Sequence, residues 1–193
     1  MTTKQKILKA VYPLFLQVSK LFKKNTRMLT NNKPAPVSFY TLKSTAINGQ
    51  DFDFASLEGK KVLLVNTASD CGYTNQYEGL EKLYKQYNDK LVVIGFPAND
   101  FKEQEKGDDA AIEDFCKVNY GVTFPLMSKS AVIGSGQHPV FQWLTDENKN
   151  GWNTQAPTWN FSKYLVEADG QLSHYFGPSV EPLGKELTDA IIA

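Results

Sequence analysis

Two cysteines, at 71 and 116, and two histidines, at 138 and 174, are the side chains of this 193-residue chain best suited to nucleophilic or metal chemistry. The histidines stand 36 positions apart and neither is near a cysteine, a spacing that fits no metal-ligand pattern, so no metal and no bound cofactor is expected. Cys71 has the more informative surroundings. It lies between residues 62–65, a continuous apolar run that reads as a buried strand, and a 3.6-period set, Tyr77, Leu80, Tyr84 and Tyr87, that reads as a helix. A sulfur on a strand-to-helix turn meets unpaired backbone N–H groups and the positive end of the helix, and both favour the thiolate, the reactive form. An inert, buried thiol is the alternative. Because Asn66-Thr67-Ala68-Ser69 and Gly72-Tyr73-Thr74 are small, polar or turn-forming, the sequence places Cys71 in an accessible turn and points to nucleophilic sulfur chemistry.

The elements that would position this sulfur follow from the pattern around it. Residues 91–96, LVVIGF, form a second apolar run, so strand, helix and strand make a right-handed βαβ unit with both strands buried in a parallel sheet. Pro97 stops the second strand. The polar loop 98–107, ANDFKEQEKG, then lies at the same strand end as Cys71, where open α/β sheets bind ligands. Gln104 in that loop either faces the sulfur or is a solvated amide. Residues 108–118 read as a helix with an acidic first turn and Cys116 in its last part, and 126–158 as loop plus one helix around Phe141, Trp143 and Leu144. Residues 163–167, a turn at Asp169-Gly170 and the alternating Leu172, His174, Phe176 predict an antiparallel hairpin. A terminal helix carries Leu183, Leu187 and Ile191 on one face. The order β-α-β-α-β-β-α is that of an α/β, thioredoxin-like fold, a central mixed sheet flanked by helices.

Length and a 41% hydrophobic content suit one core, placed in a domain over 37–193 behind an extension over 1–36. The formal charge of zero hides an asymmetry: residues 1–50 hold nine Lys/Arg and no Asp or Glu, leaving 12 basic against 21 acidic side chains after them. A domain this acidic is not expected to bind nucleic acid. Ile7, Leu8, Val11, Leu14, Phe15, Val18, Leu21 and Phe22 recur at helical spacing among six lysines, giving a basic amphipathic helix over 4–24 with Pro13 inside it. Such a helix suits peripheral contact with an anionic membrane, or packing on the domain or a partner. Its longest charge-free run, residues 10–19, is too short to span a bilayer and no A-x-A site follows, which favours a cytoplasmic, membrane-associated placement over export. A polar linker over 31–36 and an Asn48-Gly49 hairpin turn complete the N-terminal part.

Four separated motifs, NTASDCGYT at 66–74, GFPANDFKEQEKG at 95–107, FCKVNYGVTFP at 115–125 and WNFSKYLV at 159–166, occur together and in order. From residue 37 onward the chain resembles the glutathione peroxidase family. The resemblance implies a thiol-dependent peroxidase in which Cys71 is the peroxidatic residue, where some members carry selenocysteine, and Gln104, Trp159 and Asn160 complete a catalytic tetrad. It implies hydrogen peroxide and organic or lipid hydroperoxides as substrates and a sulfenic acid at Cys71 as intermediate. Cys116 would resolve that acid as a disulfide or be structural. Asp70, Ala98 and Asp100 depart from the family pattern, and Asp70, if close to the sulfur, would disfavour the thiolate.

Arg27 is the only arginine, so the domain offers no bidentate guanidinium for the carboxylates of glutathione. A thioredoxin-like protein is therefore the expected reductant, with glutathione second. The short stretch between Lys129 and Trp159 lacks the insertion through which tetrameric relatives associate, which predicts a monomer. Three rivals remain at this point. A peroxiredoxin would place proline and threonine ahead of the cysteine, a thiol–disulfide oxidoreductase would need a cysteine at Thr74, and a thioredoxin-fold adaptor would carry Cys71 without activity. Asn160-Phe161-Ser162 also matches a glycosylation acceptor.

Overall fold

The computed structural model describes residues 26–29 and 34–193, with isolated positions at 3, 6, 7 and 11. The amphipathic helix expected over 4–24 thus lies outside the described residues except at Lys6, Ile7 and Val11, whose backbone is helical. The strands are β1 (Arg27–Met28), β2 (Lys43–Thr45), β3 (Asp51–Asp53), β4 (Lys61–Thr67), β5 (Leu91–Pro97), β6 (Lys163–Val166) and β7 (Leu172–Phe176). The helices from residue 76 on are α1 (Gln76–Gln86), α2 (Asp109–Tyr120), α3 (Pro139–Leu144), α4 (Glu147–Asn150) and α5 (Lys185–Ile192).

One five-stranded sheet, in the order β1-β7-β6-β4-β5, carries the fold. β4 and β5 run parallel from Lys61↔Leu91 to Thr67↔Pro97, whereas β6 lies antiparallel to β4 and β7 antiparallel to β6. Side chains alternate across a strand, and on β4 the alternation separates two cores. Leu63 and Val65 join Leu80, Leu83, Ile112, Leu187 and Ile191 on one face. Val62 and Leu64 join Phe39, Phe54, Phe141, Trp143 and Leu144 on the other. Burial on both faces is why residues 62–65 and 91–96 are apolar almost without interruption.

Local chemistry sets the ends of the elements. Asp108 caps α2 by accepting from the Ala111 N–H at 2.9 Å, and Gly121 ends the helix in the left-handed region at φ 62°. Gly49, at φ 83°, turns β2 into β3 as the Asn48-Gly49 pair predicts. Three details differ from the sequence expectation. A short strand at Arg27–Met28 pairs with β7 on the sheet edge. A second short helix, α4, follows α3. Leu183 precedes α5 and is 46% exposed, so only Leu187 and Ile191 of its predicted stripe are buried.

Candidate active site

Cys71 sits in the turns between β4 and α1, beyond the carboxyl end of β4. Thr74 shapes this turn. Its hydroxyl accepts from the Cys71 N–H at 3.0 Å and lies 2.9 Å from Ala68 O, while its own N–H donates to Cys71 O at 3.2 Å. The helix proper starts only at Gln76, so the backbone donor at the sulfur is the Tyr73 N–H, 3.4 Å from Sγ, rather than the first turn of α1.

A second segment reaches the sulfur from β6. Asn66, the penultimate residue of β4, clamps it: its side chain donates to Trp159 O at 3.2 Å and accepts from the Ser162 N–H at 3.1 Å, and its carbonyl accepts from Phe161 N–H. Phe161 lies at φ 66°, a left-handed conformation costly for a side chain of this bulk, held by that clamp. The result sets the Trp159 indole and the Asn160 amide beside the Cys71 sulfur, where both act to lower its pKa.

The third segment is the loop after β5. Lys102 and Glu103 take left-handed backbone at φ 52° and 51°, after which Gln104 O accepts from the Asp70 N–H at 3.0 Å and Gln104 Oε1 accepts from Asn160 Nδ2 at 3.0 Å. Gln104 thus reaches the sulfur through Asn160. Among the described residues, Asn160 Oδ1 is buried without a hydrogen-bond partner. Trp159 is half-buried, packed 5.5 Å from the Phe101 ring, with the Lys102 ammonium 5.8 Å from its own ring.

One expectation fails. Cys71 is only 1% exposed, not accessible, because Tyr73, Tyr77, Phe161 and the sheet enclose a turn whose own sequence is polar. Burial pushes its thiol pKa up; the Tyr73, Trp159 and Asn160 donors pull it down, and Asp70 raises it further. Asn160, at 0% exposure, is no glycosylation acceptor in the folded chain. Cys116 is buried on α2 in the same apolar cluster as Cys71, and both thiols are free. Burial raises Cys116 to about 12, with the neighbouring Tyr77 hydroxyl opposing the shift and Glu105 adding to it.

Two charged groups escaped the sequence reading. Glu105, beside Gln104, is 1% exposed; Ser69 Oγ donates to it at 3.0 Å, and burial raises its pKa to about 7. In a polar loop nothing marks which carboxylate turns inward. Lys163, the first residue of β6, is fully buried. Among the described residues no group of three or more His, Cys, Asp or Glu could hold a metal, and no helix is long and apolar enough to cross a membrane.

A mixed sheet of this order, with a sulfur donor-bonded at the first strand-to-helix turn, defines a thioredoxin-like protein built for thiol redox chemistry. The fold is shared with the thiol:disulfide interchange protein of the thioredoxin family from Chlorobium tepidum TLS, at TM-score 0.58 and 17% identity over 84% of this chain and 97% of that one. The crystal structure of Trgpx in apo form is similar at TM-score 0.63 and 36% identity, covering 81% of this chain and 94% of the other. The family model described as glutathione peroxidase matches residues 39–145. The glutathione peroxidase-like peroxiredoxin GPX5 of Chlamydomonas reinhardtii is 50% identical over 145 residues, 75% of this chain and 89% of the relative. The chain belongs to the glutathione peroxidase family. It is an oxidoreductase of the peroxidase class.

Proposed function

We propose that Cys71 is the peroxidatic residue, with Gln104, Trp159 and Asn160 as its partners, in the reduction of hydrogen peroxide and of organic or lipid hydroperoxides. The observation that carries this reading is one sulfur that accepts from the Tyr73 N–H at 3.4 Å and has the neutral Trp159 indole and Asn160 amide beside it, all three lowering its pKa. The thiolate attacks one peroxide oxygen, the O–O bond breaks, the other oxygen leaves as water or alcohol, and Cys71 becomes a sulfenic acid. None of the donors titrates, so each serves both the thiolate and the departing oxygen. Gln104 takes one amide hydrogen of Asn160 and so leaves the other for the sulfur. Asn160 Oδ1 is then the acceptor for the hydroperoxide O–H.

Regeneration in this reading proceeds through Cys116 and a thioredoxin-like protein. Of the side chains of α2, only Ile112 and Cys116 are buried, and Val118 is 80% exposed, so opening this helix disrupts little packing. Opening also removes the burial that keeps the Cys116 thiol protonated. Mass spectrometry after one equivalent of peroxide is expected to find a Cys71–Cys116 disulfide; a persistent sulfenic acid refutes the resolving role. Peroxide consumption is expected to vanish in Cys71→Ser, and activity retained there refutes the central assignment. Turnover with thioredoxin is expected to exceed turnover with glutathione when the two are compared side by side. The protein acts as a cytoplasmic monomer in this reading, checked by light scattering, and residues 4–24 bind anionic membranes, checked by vesicle co-sedimentation.

A further inference from the structure

Among the described residues, Lys163 is the charged side chain with no exposed surface at all, and the peroxidase cycle above gives it no part. It opens β6, three residues beyond Asn160, opposite Val65 on β4 and Phe176 on β7. Val65, Phe161, Leu165 and Phe176 all belong to the cluster that encloses Cys71, so the lysine enters the layer that holds the sulfur. Its ammonium donates to Val180 O at 2.6 Å and Pro178 O at 3.2 Å, two neutral acceptors for a group with three N–H donors. A neutral donor would satisfy those carbonyls. A full charge at this depth is unfavourable unless another charge answers it.

The charged neighbours of Lys163 are Glu181, on the segment that supplies the two carbonyls, and Cys71. Cys71 in turn meets neutral donors from Tyr73, Trp159 and Asn160, and the carboxylate of Asp70, which opposes ionisation. Glu105 faces Asp70 from the loop after β5. Of the positive groups near the sulfur, Lys163 is the buried one and Lys102, 5.8 Å from the Trp159 ring, the exposed one, so Lys163 is the better placed to offset Asp70.

We propose that Lys163 is a positioning residue of the peroxidase: its buried ammonium, fixed by the carbonyls of Pro178 and Val180, is the counter-charge that stabilises the Cys71 thiolate. This rests on Cys71 being the reacting sulfur. The attraction is mutual, so a thiolate at 71 favours the proton on Lys163 and an ammonium at 163 favours ionisation of Cys71, against the burial that opposes it. Burial draws Lys163 down to about 7 even though Glu181 and, after it, Cys71 raise it, which makes its charge sensitive to the state of the sulfur.

The test is the thiolate absorbance of Cys71 against pH in the full chain, as the difference from Cys71→Ser, for wild type, Lys163→Met and Lys163→Arg. In Lys163→Met the Cys71 titration is expected about one pH unit higher, with peroxide reduction about tenfold slower at neutral pH, and in Lys163→Arg the wild-type profile is expected to return. An unchanged titration in Lys163→Met, or an equal displacement in Lys163→Arg, overturns the proposal. Should Lys163→Met fail to fold, carbon-13 NMR of the lysine Cε groups reads the same coupling from the other side. The Lys163 titration is expected at lower pH in Cys71→Ser than in wild type, and identical titrations overturn the proposal. Neither titration uses peroxide. A wild type that titrates as described but consumes no peroxide would refute the peroxidatic reading while leaving the pair intact.

Discussion

Replacing Glu105 by glutamine tests how deeply the carboxyl that accepts from Ser69 is buried. Its pKa rises from the ordinary 4.5 to about 7, chiefly through burial, which Ser69 and Lys129 offset in part and Asp70 reinforces. Below pH 4.5 the folded and unfolded chains both hold the proton, and Glu105 adds no pH-dependent term. Between 4.5 and 7 the unfolded chain releases it while the folded chain keeps it, so folding stability falls as pH rises through this window and levels off above it. A difference of about 2.5 pKa units corresponds to about 3 kcal/mol at full extent. Glutamine keeps an acceptor for Ser69 Oγ and cannot ionise. Urea unfolding of wild type and Glu105→Gln from pH 4.5 to 8 is the assay; the difference between the two cancels every other titrating group. The advantage of the variant is expected to grow by about 3 kcal/mol across the range, most of it before pH 7. Two stability curves that run parallel over the whole range would refute the reasoning.

Other substitutions probe the remaining contacts. Trp159→Phe keeps a ring against Phe101 but removes the indole N–H at the sulfur, so the rate constant with peroxide is expected to fall roughly 10- to 100-fold while the unfolding midpoint stays near wild type. Asn66→Ala removes the side-chain clamp on Trp159 O and the Ser162 N–H and leaves the latter buried and unpaired. Urea unfolding is expected to show a loss of about 2–4 kcal/mol, together with slower peroxide reduction, and retention of both properties contradicts the clamp. Alkylation of Cys71 by iodoacetamide is expected to quicken with pH beyond the ordinary thiol range, because burial holds its pKa up; a plateau near neutral pH contradicts that assignment.

The backbone order was legible in the chain because each element depends on neighbours a few residues away. Residues 62–65 and 91–96 read as strands from their continuous apolar runs, an acidic first turn marks the start of the helix that Asp108 caps, and Gly49 marks a hairpin. The four positions proposed as a tetrad, Cys71, Gln104, Trp159 and Asn160, were suggested by motif resemblance rather than by spacing. Gln104 and Asn160 are 56 residues apart, and no local pattern says that one amide donates to the other.

Tertiary packing decided what those residues experience. Cys71 stands in a polar turn that looks solvated along the chain, yet Tyr73 and Tyr77 from its own side and Phe161 from a remote segment close over it. Glu105 and Lys163 occupy positions where a solvated carboxylate and a strand-end ammonium are the ordinary outcome, and the fold turns both inward. The division has a physical cause. Hydrophobic periodicity, caps and turns act over a few residues, whereas the dielectric around a sulfur, a carboxyl or an amine is set by whatever distant segments pack against it. The sequence therefore suggested candidate residues, and only the folded chain decided how deeply each is buried and what faces it.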